Sequence, residues 1–346
     1  RDLDSRSFCS GRASGYRTMR VLAGDIGGTY ARLALVELAA QIRILAEQTT
    51  PSQEAGSLTT LAQQFLAGAG ERPERACFGI AGPVVNGEVS ATNLPWHLSE
   101  RALGDALGIP GFRLINDFEA AAHGVLRLDP HDWMTLQAGT PDPQGAIALI
   151  GAGTGLGEGF LVRAGDGYSV QASEGGHATF AAESEREWAL FNYLSERYGH
   201  VSWERVVSGP GLVDIFEFLS AGQESAPLEA LRKEMAEEAA GAVITRHALA
   251  ESDSLAAAAL ELFAAAYGAQ AGNLALTVLA TGGLYLGGGI ARHIAPKLPA
   301  SGFMTAFRRK GRLAPLLERI PVRVILNADV GLIGAAVVAG KLTANS

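Results

Sequence analysis

The chain has 346 residues, of which 48% are apolar and 18% charged, and its formal net charge is -8. This composition is typical of a compact globular protein and excludes a disordered or fibrous chain, and the length predicts two domains or one unusually large one. The negative charge argues against nucleic-acid binding, which depends on clustered Lys and Arg, and favours a small-molecule partner. All four Lys lie at position 233 or later, so a phosphate site earlier in the chain needs backbone amides, Arg or a metal.

Cysteine content and apolar runs bear on the compartment. Cys9 and Cys77 are too few for a disulfide framework or a thiolate zinc cage, which predicts the reducing cytoplasm. Glycine clusters interrupt both long apolar stretches, Ala146–Val162 and Leu274–Ile290, so we expect no membrane span. Residues 1–18 are rich in Arg and Ser, a composition shared by some transit peptides, and lack an apolar segment. We interpret them as an N-terminal extension, disordered or non-native, outside the fold.

Strand and helix signals alternate from Met19 onward. Val21–Ala23 and Arg32–Leu38 predict two strands joined by a tight turn at Gly24–Thr29. The following segments predict, in order, a helix, a buried strand, a helix, a strand and a helix: Leu58–Gly68, Arg75–Ile80, Ser99–Leu107, Arg113–Ile115 and Phe118–Leu126.

The same pattern starts again near residue 145. Gly145–Ile150 and Gly159–Val162 predict a second strand pair around a second glycine turn, Gly151–Gly157. This weak internal repeat of hairpin, glycine turn and helices predicts two related halves that face a cleft.

The second half is more helical. Ser184 and Glu187 fit a capping box, and the helix that they start is predicted to bury its periodic side chains in the core: Trp188, Phe191, Leu194 and Tyr198. The Ala-rich segments predict two long helices, over Leu228–Ala250 and Ser254–Leu279. Val322–Leu326 predicts a strand, and Gly331–Gly340 a helix whose small residues let another element approach closely.

The two glycine turns suit phosphate, because backbone N–H groups can reach phosphate oxygens where no Cβ blocks the approach. Neither turn fits the P-loop or the dinucleotide-binding pattern, so both of those site types lose support. Asp25 and Thr29 add a carboxylate that can hold Mg²⁺ through water and a hydroxyl that can donate to phosphate. The alternative is that Gly27 and Gly28 serve only the hairpin, which would need a positive φ there.

Asn116 and Asp117 end a short apolar strand. A carboxylate at that place could accept the proton of an attacking hydroxyl, as the Asp of other phosphotransferases does. Asp117 could equally cap the helix that begins at Phe118, and the two roles are compatible.

A third polar group consists of Glu174, His177 and Glu204, next to Gly175 and Gly176. Sugar hydroxyls both donate and accept hydrogen bonds, so sites for sugars collect carboxylates, amides and imidazole. A Pro-bent loop, Thr92–Trp96, adds an amide and an aromatic ring. The alternatives are that His177 is a buried core histidine and that the loop is an ordinary turn.

Together these motifs resemble the bacterial glucokinase family over nearly everything after Met19. The matching motifs keep the family's order and spacing: Gly24–Leu33, Ala81–Val84, Ala91–Trp96, Ile115–Phe118, Gly151–Gly157, Glu174–His177, Glu204–Leu212 and Leu286–Ile290. The resemblance implies ATP-dependent phosphorylation of glucose at its 6-hydroxyl by a homodimer. It also implies an α/β fold of the two-domain actin-like ATPase (ribonuclease H-like) type, with a cleft between a small α/β domain, 19–127 plus 327–346, and a larger α+β domain, 128–326.

The resemblance also implies a role for each matching residue. Asp117 would be the general base, and the glucose ligands would be Asn93, Asn116, Asp117, Glu174, His177 and Glu204. The phosphates and Mg²⁺ would be surrounded by Asp25, which would hold the metal through water, and by Gly27, Gly28, Thr29, Thr154 and Gly155. Gly288 and Gly289 would let the adenosine lie flat. Tyr30 departs from the family, which more often has Asn there, and this leaves the nucleotide affinity open.

Three alternatives share the fold. Kinases of the repressor/open-reading-frame/kinase family have the phosphate turns and the E-x-x-H motif but also a Cys-rich zinc loop, and this chain has no cysteine after Cys77. We therefore expect no structural zinc. A sugar-sensing repressor needs a helix-turn-helix, for which residues 1–18 are too short. A chaperone-type ATPase does not need the sugar-like cluster of Glu174, His177 and Glu204.

Overall fold

The computed structural model describes residues 18–54, 56–90 and 96–343. By its internal contacts the chain divides into two compact units. The first contains the described residues up to Gly124 and those from Gly331 onward, and the second is Val125–Val330. Among the helices in these described ranges, none combines the length and apolar character needed to cross a bilayer.

The elements between Met19 and Val125 are, in chain order, β1 (Met19–Ile26), β2 (Tyr30–Leu38), β3 (Ile42–Pro51), α1 (Leu58–Ala69), β4 (Arg75–Ile80), β5 (Glu88–Ser90), β6 (His97–Ser99), α2 (Glu100–Leu107), β7 (Gly111–Asn116) and α3 (Asp117–Val125). The next group is β8 (Trp133–Gln137), β9 (Ile147–Ala152), β10 (Leu156–Ala164), β11 (Gly167–Ser173), α4 (Glu185–Tyr198), α5 (Gly209–Ser220), α6 (Ala226–Glu237), α7 (Ala240–Leu249) and α8 (Ser254–Thr277). The last are β12 (Gly283–Gly287), α9 (Gly288–Ile294), α10 (Phe303–Arg308), α11 (Ala314–Leu317), β13 (Val322–Ile325) and α12 (Val330–Lys341).

The first unit is a five-stranded sheet in the order β3-β2-β1-β4-β7 with helices on both faces. Side chains of β1 alternate between the two faces because successive residues of a strand point in opposite directions. Leu22 and Ile26 belong to the apolar layer that contains residues of α1 and α2, whereas Val21 and Ala23 belong to the layer that contains residues of α12. The final helix therefore belongs to the same unit as the first strand.

The second unit repeats this topology. Its six-stranded sheet has the order β11-β10-β9-β12-β13-β8. In both units the first two pairings in that order are antiparallel and the next two are parallel. The internal repeat predicted from the sequence is thereby confirmed.

Several predicted elements differ from the structure. The elements that were not predicted are the strands β3, β5, β6, β8, β11 and β12 and the helices α5, α9, α10 and α11. The single helix predicted over Leu228–Ala250 is wrong, because Glu238 takes an extended conformation between α6 and α7. Arg246 of α7 folds back onto Glu234 and Glu238, so the two helices form an ion-paired hairpin.

The start of α4 also corrects the sequence interpretation. Ser184 accepts a hydrogen bond from the Glu187 amide, as a capping box requires, but the Glu187 carboxylate accepts from the Glu183 amide and the Ser184 hydroxyl. Leu194 is buried, whereas Trp188 is 56% exposed and contacts Phe191 edge to face. The placement of Trp188 in the core was therefore wrong, because it lies on the outward side of the helix.

The small residues of α12 allow a close approach, as predicted. A Cβ at Gly334 would lie 1.7 Å from the carbonyl oxygen of Ala120 in α3. The backbone of α3 cannot move aside as the end of a flexible side chain would, so only glycine fits at this crossing.

We therefore expect Gly334→Ala to lower the free energy of unfolding by about 3 kcal/mol or more, because overpacking at a backbone contact forces the two helices apart. Gly68→Ala is the matched control, since Gly68 also lies in a helix but has no atom within 4 Å of its added Cβ. The control should gain about 0.5–1 kcal/mol from helix propensity. Urea unfolding of both variants measures the difference, and equal stabilities would contradict the proposed close packing.

Candidate active site

The first glycine turn connects β1 to β2 and is supported from one side by Ser52. The Gly27 amide donates to the Tyr30 carbonyl at 2.9 Å. The Ser52 amide donates to the Thr29 carbonyl at 2.9 Å, and the Ser52 hydroxyl donates to the Gly27 carbonyl at 2.7 Å. Ser52 is buried and was not predicted, because it follows β3, which the sequence pattern did not reveal. These bonds fix the backbone of the turn.

Gly27 is not explained by the hairpin itself. Its φ lies outside the left-handed region, and a Cβ there would make only an ordinary contact, 3.5 Å from the Tyr30 carbonyl oxygen. The expectation that the hairpin needs a positive φ at Gly27 was therefore wrong. An alanine would therefore fit at this position, so neither the backbone conformation nor a neighbouring atom explains the glycine.

Asp25 lies at the end of β1 beside the first turn of α12. A Cβ at Gly331 would be 2.9 Å from Asp25 Oδ2, so glycine leaves room for this carboxylate. A negative charge is favourable near a helix N-terminus. No group of three or more His, Cys, Asp or Glu that could hold a metal occurs in the described part of the chain. A single carboxylate suits Mg²⁺, which keeps several waters and binds substrate phosphates directly.

Asn116, rather than Asp117, caps α3. Asn116 Oδ1 accepts from the amides of Phe118 at 2.8 Å and Glu119 at 3.3 Å, and its Nδ2 donates to the Gly82 carbonyl at 3.1 Å. Asp117 Oδ1 accepts from the adjacent Phe118 amide at 2.9 Å. The capping role predicted as an alternative for Asp117 therefore falls mainly on its neighbour.

Asn93 lies in residues 91–95, outside the described residues, so its place at a glucose site stays a prediction. The other candidates of the first unit, Asn116 and Asp117, follow each other at the carboxyl end of β7. Asp25 stands at the corresponding end of β1, and the parallel strand β4 pairs with both β1 and β7. Candidate metal and base residues thus share one edge of the first sheet.

The second glycine turn, in the second unit, is joined to Glu204. The Gly153 amide donates to the Gly155 carbonyl and the Gly209 amide to the Gly153 carbonyl, each at 2.8 Å. The Leu156 amide donates to Glu204 Oε2 at 2.9 Å. A Cβ at Gly155 would lie 2.4 Å from the same oxygen, so this glycine is needed for the carboxylate to reach the turn.

Glu204 also belongs to the polar cluster predicted for a sugar. His177 Nδ1 lies 4.0 Å from Glu204 Oε1, and His177 Nε2 lies 3.8 Å from Glu174 Oε2. The Glu204 amide donates to the Gly176 carbonyl at 2.9 Å, which holds the 3-10 turn Gly175–His177 against the next segment. The His177 side chain is 63% exposed, so it is not a core histidine. The structure brings Glu174, His177 and Glu204 together.

An apolar cavity of about 470 Å³ opens beside the second glycine turn, at the starts of α5, α7 and α9. Its walls include Gly153, Thr154, Pro210, Ala240 and Gly289. Small apolar walls of this kind suit a flat heterocycle, which is bound mainly through its faces.

The two glycines that open α9 have different roles. Gly288 has a φ of +83° and a Cβ there would lie 2.4 Å from the Ala152 carbonyl oxygen, so the backbone itself requires glycine. Gly289 has no atom within 4 Å of an added Cβ, and it faces the cavity. Glycine at 289 therefore widens the cavity without serving the fold.

The helix that carries Asp117 contains a group that makes stability depend on pH. Burial, and then the nearby Lys341, lower the pKa of His123 from its ordinary value of 6.5 to about 4. The folded chain therefore holds His123 neutral at pH values where the unfolded chain protonates it, so stability falls as the pH drops from about 6.5 towards 4. We expect His123→Leu to reduce the acid-induced fall in Tm by about 2–4 °C. Thermal unfolding of both proteins across this range measures it, and identical pH profiles would contradict the assignment.

A family model for glucokinase matches residues 22–342. The chain is 46% identical over 339 residues to the glucokinase of Nostoc sp., covering 93% of this chain and 99% of that protein. It is 45% identical over 346 residues to the glucokinase of Synechocystis sp., covering 92% of this chain and 98% of that one.

Solved structures agree. The crystal structure of a glucokinase from an Antarctic psychrotroph superimposes with a TM-score of 0.80 at 33% identity, covering 94% of this chain and 99% of that one. A Streptomyces griseus ROK family glucokinase in complex with glucose and AMPPNP has the same fold, with a TM-score of 0.66 at 22% identity and coverage of 93% and 99%. The predicted α/β fold of the actin-like ATPase type is confirmed. The chain belongs to the glucokinase family.

Proposed function

We propose that this chain transfers the γ-phosphoryl group of ATP to the 6-hydroxyl of glucose, giving glucose 6-phosphate and ADP. The observation that carries the proposal is the double contact of Glu204. One carboxylate oxygen accepts from the Leu156 amide of the second glycine turn, and the other lies 4.0 Å from His177 in the polar cluster. A single side chain therefore joins a phosphate-type turn to a sugar-type cluster, which supports a kinase that acts on a sugar.

Asp117 is the general base of the proposed reaction. Its carboxylate accepts the proton of the 6-hydroxyl while that oxygen bonds to the γ-phosphorus and the bond from phosphorus to the bridging oxygen of ADP breaks. Glucose is held by Asn93, Asn116, Glu174, His177 and Glu204.

The nucleotide is assigned to the two glycine turns and the apolar cavity. Backbone N–H groups near Gly27, Gly28 and Gly155, with the hydroxyls of Thr29 and Thr154, bind the phosphates. The base and ribose lie in the cavity beside Gly288 and Gly289. Asp25 would hold Mg²⁺ through water, and the metal would neutralise charge on the phosphates.

An assay of phosphorylated product and ADP across glucose, mannose and fructose, with ATP, ADP or polyphosphate as donor, tests this function. We expect glucose with ATP to give the highest kcat/KM. ADP release at the same rate without sugar would favour a chaperone-type ATPase instead. Stoichiometric zinc that resists chelators and whose removal unfolds the protein would favour the alternative kinase family with a zinc loop. The cytoplasmic location and the homodimer remain predictions from cysteine content and family resemblance.

A further inference from the structure

Glu158 is a buried carboxylate that the proposed reaction does not use. It lies on β10 and is 3% exposed. Its Oε1 accepts from Gln270 Nε2 of α8 at 2.7 Å. In the pairing of β10 with β11 it stands opposite Ser173, the residue immediately before Glu174.

The Glu158 carboxylate also contacts the turn that carries Glu174 and His177. A Cβ at Gly175 would lie 2.0 Å from Glu158 Oε2 and 3.0 Å from its carboxyl carbon. The Gly175 amide donates to Ser173 Oγ at 3.0 Å, so the backbone is held from β11 as well. Gly175 is thus a glycine because the carboxylate occupies the space where a side chain would begin.

A chain of hydrogen bonds fixes the orientation of this carboxylate. Gln270 Oε1 accepts from Asn273 Nδ2 at 3.2 Å, and Asn273 Oδ1 accepts from Lys310 Nζ at 2.8 Å. Lysine only donates, so Asn273 accepts through Oδ1 and donates through Nδ2 to Gln270 Oε1, which leaves Gln270 Nε2 facing the carboxylate. Burial raises the pKa of Glu158, and the bond from Gln270 acts in the opposite direction.

Isolating a carboxylate from water costs stability, and an apolar side chain of similar size would avoid that cost. Glu174 and His177 have mostly exposed side chains, so their positions depend on the backbone of the turn between them. A binding group that is displaced by about 1 Å can lose much of its effect, which is why ligand-binding side chains need support from a second layer.

We propose that Glu158 is a positioning residue for glucose binding. Its carboxylate, anchored by Gln270, supports Gly175 and so holds Glu174 and His177 in place for the sugar. The assignment of a sugar to this turn rests on the proposed function, whereas the support of the turn by Glu158 does not.

Glu158→Ala tests the proposal, with Gln137→Ala as the matched control. Gln137 is a buried polar residue of β8, the strand at the edge of the same sheet that lies away from β10. Its Nε2 donates to the carbonyls of Leu317 and Ile320. Glu158→Ala should raise the glucose KM by about tenfold and leave the ATP KM within about twofold, because only the sugar ligands are displaced. Gln137→Ala should lose stability without changing either KM. Glu158→Gln keeps the volume and an acceptor oxygen, so its glucose KM should stay within about threefold of wild type.

Hydrogen exchange of the free protein provides a readout that needs no substrate. The amides of residues 174–178 should exchange about tenfold faster in Glu158→Ala than in the wild-type protein, and their exchange rates should be unchanged in Gln137→Ala. If Glu158→Ala does not fold, Gln270→Met is used in its place. This variant keeps the Glu158 carboxylate but removes the hydrogen bond that anchors it, so the glucose KM and the exchange rate of residues 174–178 should both rise.

The outcomes separate the two proposals. Absence of glucose-dependent ADP release by the wild-type protein would refute the proposed function, and the exchange rates would still decide whether Glu158 holds the turn. Unchanged exchange over residues 174–178 together with a glucose KM equal to that of the control would overturn the positioning role. A large rise in glucose KM in Glu158→Gln would also overturn it, since shape and an acceptor would then not suffice.

Discussion

Replacing Asp117 by Asn should lower kcat for glucose phosphorylation by at least about 10²-fold, the low end of the range for general base catalysis. The amide keeps the shape of the carboxylate but cannot accept the proton of the 6-hydroxyl. Its oxygen can still accept from the Phe118 amide, and the Asn116 cap of α3 is untouched, so the variant should fold normally. Turnover, equilibrium glucose binding and thermal unfolding are measured together.

Two controls make the Asp117 result interpretable. Asp105→Asn removes an exposed carboxylate of α2 and should leave kcat unchanged. Asn116→Ala removes the helix cap and should cost about 1 kcal/mol of stability, which calibrates the loss expected from capping alone. Near-normal turnover of Asp117→Asn would refute the base assignment.

Glu204 substitutions should separate its two contacts. Glu204→Ala removes the proposed sugar ligand and the acceptor for the Leu156 amide, so the KM values for glucose and for ATP should both rise, that for glucose by about 10²-fold. Glu204→Gln keeps an acceptor oxygen for that amide and loses the charge. Its glucose KM should rise by about tenfold while its ATP KM stays near that of wild type.

Steady-state kinetics with each substrate varied in turn measure these constants, with Glu229→Ala on the exposed side of α6 as a control. A rise in the glucose KM alone in both Glu204 variants would show that the contact with the second glycine turn has no part in nucleotide binding. Unchanged constants in both would remove Glu204 from the site.

The sequence was most informative where the chemistry is local. The two glycine turns, the Asn116–Asp117 pair and the Glu174–His177 turn are each short segments whose residue types suit phosphate, a base and a sugar. Each could also be structural, and it was their order along the chain, as in the glucokinase family, that favoured the functional roles. The repeated sheet topology was also visible, because each half begins with a hairpin around a glycine turn. The edge strand β3 was missed because its residue types do not alternate along its length. Burial alternates from Ile42 to Pro51, but Glu47–Thr50 is polar on both faces of the strand, and such a polar run resembles a loop.

Contacts between distant residues could not be predicted. Gly155 is required by Glu204, which lies 48 positions from Leu156, and Gly175 by Glu158 across a strand pair. The sequence could not distinguish these glycines from Gly27 and Gly289, which no protein atom requires. Ser52 and Glu158 carry no motif, and their importance follows only from which backbone atoms they contact.

The most direct test of the proposed reaction compares glucose with 6-deoxyglucose as acceptor for ATP. The two sugars differ only in the hydroxyl that receives the phosphoryl group, so they should compete for the same ligands. We predict rapid ADP release with glucose, release at the sugar-free background with 6-deoxyglucose, and competitive inhibition of the first by the second. Equal ADP release with both sugars, or none above background with glucose, would contradict phosphorylation at the 6-hydroxyl.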